Sequence, residues 1–179
     1  MIAATTATVK MFSRPPPGRS GRLFLYVPTT FDIPALWRTI PSMNSQLDAL
    51  KFEKHTDTKG NNVEIIPTII QDAKTGQVLV LCYMNREALE KTISTGKIHM
   101  YSRSRGRVAL KGESSGHFQL VNDILTDCDM DTVIFKVEQT SAACHEGYYS
   151  CFFRQYQANA SDWKIIAEKV FDPKTVYNK

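Results

Sequence analysis

Ile65-Ile66-Pro67-Thr68-Ile69-Ile70-Gln71, then Asp72-Ala73-Lys74-Thr75-Gly76, then Gln77-Val78-Leu79-Val80-Leu81-Cys82-Tyr83-Met84: this stretch decides the class of fold. Both outer runs are dense in isoleucine, valine and leucine, side chains that pack well on a pleated surface. The five residues between them begin with aspartate and end with glycine, the chemistry of a hairpin loop. Residues 65–71 and 77–84 are therefore expected to be two strands of one hairpin.

The pattern changes directly afterwards. Asn85 fits a helix N-cap, residues 85–95 carry helix formers with apolar side chains at Ala88, Leu89 and Ile93, and Gly96 fits the stop. Strand composition resumes at 97–102, 118–126, 132–139 and 151–155, while 163–171 reads as either strand or helix and Pro173 is expected to end it. No internal repeat or low-complexity segment is present. The expected fold is mainly β with one or two helices, of α+β character, on an antiparallel or mixed sheet.

Upstream, residues 1–42 have a different composition. They are rich in Ser, Thr, Arg and Pro, with the breaker Pro15-Pro16-Pro17-Gly18. Lys10, Arg14, Arg19, Arg22 and Arg38 stand against Asp32 alone, so the whole net charge of +4 lies there and the remainder is balanced. That removes the clustered basic face expected of a nucleic-acid binder. Translation beginning at Met43 explains the segment better than an organelle-import peptide, because its amphipathic periodicity is poor. On either reading it is set aside as a leader, and residues 43–179 are expected to form one domain.

With 42% apolar and 22% charged residues, the chain has the composition of a soluble globular protein. No run approaches the ~20 apolar residues that span a bilayer. There are four cysteines but no clear secretory signal, and three of the four sit among acidic and histidine residues. A reducing, cytoplasmic setting and metal binding are expected rather than crosslinking, with organelle import through residues 1–42 as the alternative location.

Five segments carry candidate chemistry. In Asp127-Cys128-Asp129-Met130-Asp131 the aspartates alternate, and an extended strand would place all three on one face, with Cys128 on the other. A hard cation such as Mg²⁺ or Ca²⁺ would offset their repulsion; taken alone, the run reads equally as a solvated acidic turn. Cys128, Cys144 and Cys151 form a C-x15-C-x6-C pattern, and three thiolates on zinc leave the open position of a catalytic site. Cys82 lies in an apolar run and reads as a small core residue. His117, after Ser114-Ser115-Gly116, suits a proton shuttle, and His145 adjoins a candidate ligand. Arg103, Arg105 and Lys111, among serines and glycines, suit phosphate.

Together these segments resemble the phosphoribosyl-AMP cyclohydrolase family of histidine biosynthesis. The resemblance covers about residues 65–176. It rests on Ile66-Pro67 with Gln71-Asp72, Tyr83-Met84-Asn85-Arg86-Glu87-Ala88-Leu89, Ser102-Arg103-Ser104-Arg105 and Lys111-Gly112-Glu113-Ser114-Ser115-Gly116-His117-Phe118-Gln119. It continues through the aspartate run, Val137-Glu138-Gln139-Thr140, Ala143-Cys144-His145 and Ser150-Cys151-Phe152. The resemblance implies hydrolytic opening of the purine ring of 1-(5-phosphoribosyl)-AMP at N1–C6, in an intertwined homodimer with zinc ligands shared between subunits. It implies zinc on Cys128, Cys144 and Cys151, Mg²⁺ on Asp127, Asp129 and Asp131, and phosphate contacts from Arg103, Arg105 and Lys111. The implied chemistry is attack by zinc-bound hydroxide at C6, with His117 passing protons to the departing nitrogen. A pyrophosphohydrolase domain, sometimes fused to this family, is expected on a separate chain.

There are three departures from the family pattern: Ala109 where tryptophan is frequent, Tyr148-Tyr149 where an arginine pair is common, and Met130 where glycine is usual. Two other functions compete: a zinc hydrolase or deaminase acting on another purine nucleotide, and a zinc-binding module without catalysis. The deaminase pattern H-x-E with P-C-x-x-C is absent.

Overall fold

The computed structural model describes residues 47–177, so the reading of residues 1–42 lies outside the described residues. The strands are β1 (Glu53–Thr56), β2 (Asn62–Asp72), β3 (Val78–Met84), β4 (His99–Ser102), β5 (Arg107–Leu110), β6 (Gln119–Thr126), β7 (Val133–Gln139), β8 (Arg154–Gln157) and β9 (Asp162–Ile165). The helices are α1 (Arg86–Thr95) and α2 (Pro173–Tyr177). The fold is mainly β on a mixed sheet. No described helix is long and apolar enough to cross a membrane.

Strand β2 organises the sheet. Its first residues pair antiparallel with β1, from Asn62 opposite Thr56 to Ile65 opposite Glu53. Beyond them β2 is paired on both edges: antiparallel to β3, with Ile66 opposite Met84, and parallel to β7, with Thr68 opposite Val133 and Asp72 opposite Val137. Strand β6 completes the sheet, antiparallel to β7. Pairing on both edges places Ile66, Ile70, Val133, Phe135 and Val137 in the core with Leu79, Met84 and Leu89. Two hairpins stand apart from this sheet, β4–β5 and β8–β9.

The expected 72–76 loop closes through the side chain of Asp72. Its Oδ1 accepts from the backbone N–H of Lys74 at 2.9 Å and of Thr75 at 2.7 Å, the Asx arrangement that makes aspartate a turn former. Gly76 completes the turn at φ +73°, a conformation that costs glycine little. Helix α1 forms where its signals stand: the Asn85 side chain accepts from Ala88 N–H at 2.9 Å, and Gly96 adopts the left-handed C-cap. Its buried face is Ala88, Leu89, Thr92 and Ile93.

The C-terminal part differs from the expectation. The strand expected over 151–155 begins at Arg154 and runs to Gln157, because Ser150 and Cys151 bond to β3 instead: Cys151 N–H donates to Leu79 O at 2.8 Å. Of 163–171, only the first part is strand, within β9. Pro173 opens α2 rather than ending an element; its fixed φ and missing N–H suit the first helical position. Strands β1 and β5, four residues each, were not expected from composition.

Removing the Asn85 cap leaves an N–H of the first turn without its partner. Asn85→Ala is expected to lower stability to urea by about 1 kcal/mol, and Asn85→Gly by a few tenths.

Candidate active site

The antiparallel register of β6 and β7, with Thr126 opposite Val133, forces the chain to reverse between them. Residues 127–131 are therefore a turn and not an extended strand, which corrects the alternation expected from the sequence. The turn closes through Asp127, whose Oδ1 accepts from Asp131 N–H at 3.1 Å and Thr132 N–H at 3.2 Å. Met130 takes φ +63°, the left-handed conformation natural to glycine, and its carbonyl accepts from Lys51 N–H at 2.7 Å. The carboxylates of Asp127, Asp129 and Asp131 nonetheless converge, each offering a ligand oxygen within 4.8 Å of the others. The hydrogen-bonded contact with Asp127 raises Asp131 above the usual carboxylate range, as expected of neighbouring negative charges. This donor set fits a hard divalent cation.

Cys128 lies exposed on the same turn, its Sγ 4.0 Å from Asp129 Oδ1. The strand alternation that would have turned it away from the aspartates is absent. Strand β7 then carries the chain away from Cys128. Its seven residues span roughly 23 Å at ~3.3 Å each, and the loop bearing Cys144 and Cys151 starts only at its far end. Among the described residues, the one group of three or more metal-capable side chains is the aspartate trio.

At that far end, hydrogen bonds shape the loop. Ala143 N–H donates to Tyr149 O at 3.0 Å and Cys144 N–H to Tyr148 O at 3.1 Å, folding 143–149 back on itself. Ser150 Oγ donates to Val78 O at 2.7 Å, fixing the loop to β3. Gly147, at φ +92°, lets the carbonyl of Phe171 approach where any Cβ would collide. Cys144 and Cys151 meet in a small cluster with Tyr148 and Phe153, whose rings stack at 3.7 Å. Burial first, then the neighbouring Cys144, pushes the Cys151 thiol up to about 11. Two neighbouring thiols provide half of a tetrahedral zinc shell.

His117 and Lys111 border this cluster. The close fit of Gly112 against the His117 backbone sets the ring's position: a Cβ at Gly112 would lie 2.5 Å from His117 O. The ring meets the edge of Phe171 at 4.7 Å, and its buried Nδ1 has no hydrogen-bond partner among the described residues. Burial and then the Lys111 charge hold His117 below its ordinary value. His145 is exposed.

The β4–β5 hairpin separates the basic residues. Arg103 and Arg105 belong to its tight turn, whereas Lys111 follows Leu110 at the other end, about 13 Å along the strand. The Arg103 guanidinium lies 4.1 Å over the Tyr83 ring, in an open cleft of about 520 Å³ lined also by Tyr101, Asp57 and Ser104. Buried Asp57 underpins that cleft, accepting from Tyr101 Oη at 2.8 Å and Asn61 Nδ2 at 3.0 Å. Sequence reasoning passed over Asp57; its signal was the turn composition of Asp57-Thr58-Lys59-Gly60.

A family model described as phosphoribosyl-AMP cyclohydrolase matches residues 80–153. The chain is 54% identical over 123 residues to the phosphoribosyl-AMP cyclohydrolase of Methanobrevibacter smithii, covering 65% of this chain and 93% of that protein. This chain belongs to the phosphoribosyl-AMP cyclohydrolase family. It is an enzyme of that family. The relative from Pelotomaculum thermopropionicum is 50% identical over 137 residues, 76% of this chain and 99% of its own length. A third, named histidine biosynthesis bifunctional protein HisIE, from Thermoanaerobacter pseudethanolicus, is 48% identical over 75% of this chain and 58% of its own. The cyclohydrolase match spans the Arg103 turn, His117, the aspartate turn and the thiol loop, and stops before β8.

Within this cyclohydrolase, the tyrosines at 148 and 149 serve the thiol loop. Tyr148 stacks on Phe153, and Tyr149 Oη donates to Asp72 Oδ2 at 2.5 Å, tying the loop to the β2–β3 turn. Burial pushes Asp72 up, but donors from Tyr149, Thr75 and Lys74 outweigh it and hold the carboxyl below its ordinary 3.8. Tyr149→Phe removes a hydrogen bond to a charged acceptor, so a loss of about 1.5–3 kcal/mol in urea unfolding at neutral pH is expected. Because the Asp72 value is depressed, that deficit is complete above 3.8 and shrinks as pH falls below it.

Proposed function

We propose that the chain hydrolyses the N1–C6 bond of 1-(5-phosphoribosyl)-AMP as a cytoplasmic homodimer. Cys128 of one subunit would join Cys144 and Cys151 of the other to hold zinc. One observation carries this reading: Cys144 and Cys151 converge, while β7 keeps Cys128, exposed, at the opposite end of the strand. A second subunit brings the third thiol to the pair without unfolding the sheet. Isologous pairing of two chains then makes two such sites. The four unpaired cysteines support a reducing compartment.

Zinc would supply Lewis acidity, making water a nucleophile near neutral pH. The remaining work falls to the chain's own side chains. His117 enters the reaction neutral, because burial and Lys111 oppose its charging, and its free Nδ1 accepts a proton and passes it to the leaving ring nitrogen. Asp127, Asp129 and Asp131 would hold Mg²⁺, which balances their charge beside a phosphate. Arg103 and Arg105 would bind phosphate oxygens, with the Tyr83 ring beneath Arg103 holding that guanidinium in place.

Subunit mixing tests the shared site. Cys128→Ser and Cys144→Ser are each expected to remain folded and to lose zinc and ring-opening activity. Co-refolding the two leaves one intact site in each mixed dimer, restoring about one quarter of wild-type activity. Persistent inactivity of the mixture while both variants dimerise would sink the shared site.

The pH profile tests His117. A depressed histidine is neutral, and active as a proton acceptor, down to its lowered pKa; activity falls as pH drops through it. The acid limb of kcat is expected below the ordinary 6.5 and should vanish in His117→Asn along with most of the rate. A limb at or above 6.5 contradicts the assignment.

A further inference from the structure

Lys111 is half-buried and stands at the far end of the β4–β5 hairpin from Arg103 and Arg105. Its backbone N–H donates to Ile98 O at 2.9 Å, holding the residue at the end of β5. Its side chain turns inward, and Nζ donates to the carbonyl of Ala143 at 2.5 Å. Ala143 is buried and immediately precedes Cys144. The thiols of Cys151, Cys144 and Cys82 all bear on this ammonium, and the ammonium bears on His117. Other charged groups at this end of the fold are Glu146, which also bears on Cys151, Arg154, which pairs with Glu146 at 3.3 Å, Lys169, whose Nζ lies 5.6 Å over the Tyr148 ring, and Asp72, which accepts from Tyr149.

An ammonium withdrawn from water is costly unless negative charge faces it. Among the described residues the acceptor for Lys111 Nζ is one neutral carbonyl, and no carboxylate pairs with it. The groups bearing on Lys111 that can supply negative charge are the thiols. Three thiolates on one zinc ion leave the centre with a net charge of about −1, so a single half-buried cation such as Lys111 balances it. The lysine therefore matches a loaded site better than it matches neutral thiols.

We propose that Lys111 is a positioning residue of the zinc site, the counter-charge to its thiolates and the clamp that holds Ala143 at the start of the ligand loop. The inference rests on the zinc reading of Cys128, Cys144 and Cys151 given above. It also separates Lys111 from Arg103, which lines the cleft at the other end of the β4–β5 hairpin, and from Arg105 in the same turn.

Zinc affinity, measured by chelator competition on the full chain, tests this independently of turnover. Lys111→Gln keeps a donor for the Ala143 carbonyl and removes the charge; Lys111→Arg keeps both. The glutamine variant is expected to bind zinc roughly 10- to 100-fold more weakly, with the arginine variant recovering most of that loss. Lys111→Met, neutral and of similar length but lacking the donor, takes its place if the glutamine variant does not fold, read against Lys111→Arg. Wild-type affinity in the neutral variant, or an equal loss in the neutral and arginine variants, overturns the role of the charge. Absence of zinc binding by the wild-type protein would instead overturn the zinc assignment itself.

Discussion

Pairing of β2 on both of its edges is the constraint on which the rest of the molecule depends. The antiparallel contact with β3 is local, closed by five residues and the Asp72 side chain. The parallel contact with β7 joins residues more than sixty positions apart, with α1, the β4–β5 hairpin and β6 between them in the chain. Once Asp72 lies beside Val137, both ends of β7 are fixed in space. One end carries the aspartate turn and the other the thiol loop. The same pairing buries Val133, Phe135 and Val137, so the element that separates the two clusters is also a main part of the core.

That arrangement explains how charge is distributed in the molecule. The aspartates lie on an exposed turn, where water moderates their repulsion, and hard cations are bound well by such oxygen clusters. The two thiols lie against Tyr148 and Phe153, where burial pushes the Cys151 thiol up and the Lys111 charge opposes that shift. Each environment suits a different kind of ion. In the family reading, the distance imposed by β7 becomes an assembly requirement, since one chain alone offers two of the three thiols together.

Local signals in the sequence were legible wherever a side chain acts on its own neighbours. Asn85 and Gly96 bound α1 because their capping bonds lie within one turn of the helix. The 72–76 loop could be read because Asp72 bonds within its own turn. Where a distant partner decided, the reading failed. The aspartate run has a period of two and invites a strand, but the β6–β7 register forces a reversal there, and period alone carries no register. Strand character was expected from Cys151 onward, but the bonds of Ser150 and Cys151 to β3 postpone it to Arg154.

Residue types and short spacings were enough to pick out the candidate cysteines and aspartates, to set His117 after a glycine-rich turn, and to match ordered motifs to the cyclohydrolase family. Residue types and short spacings carry that information because donor chemistry is a property of the side chain. Which of those residues meet was set by the fold. It gathered three aspartates by a turn, joined Cys144 to Cys151, left Cys128 at the far end of β7, and drew Lys111 away from the arginines towards the thiols. Meetings of that kind depend on strand length and register between distant segments, which no local pattern encodes.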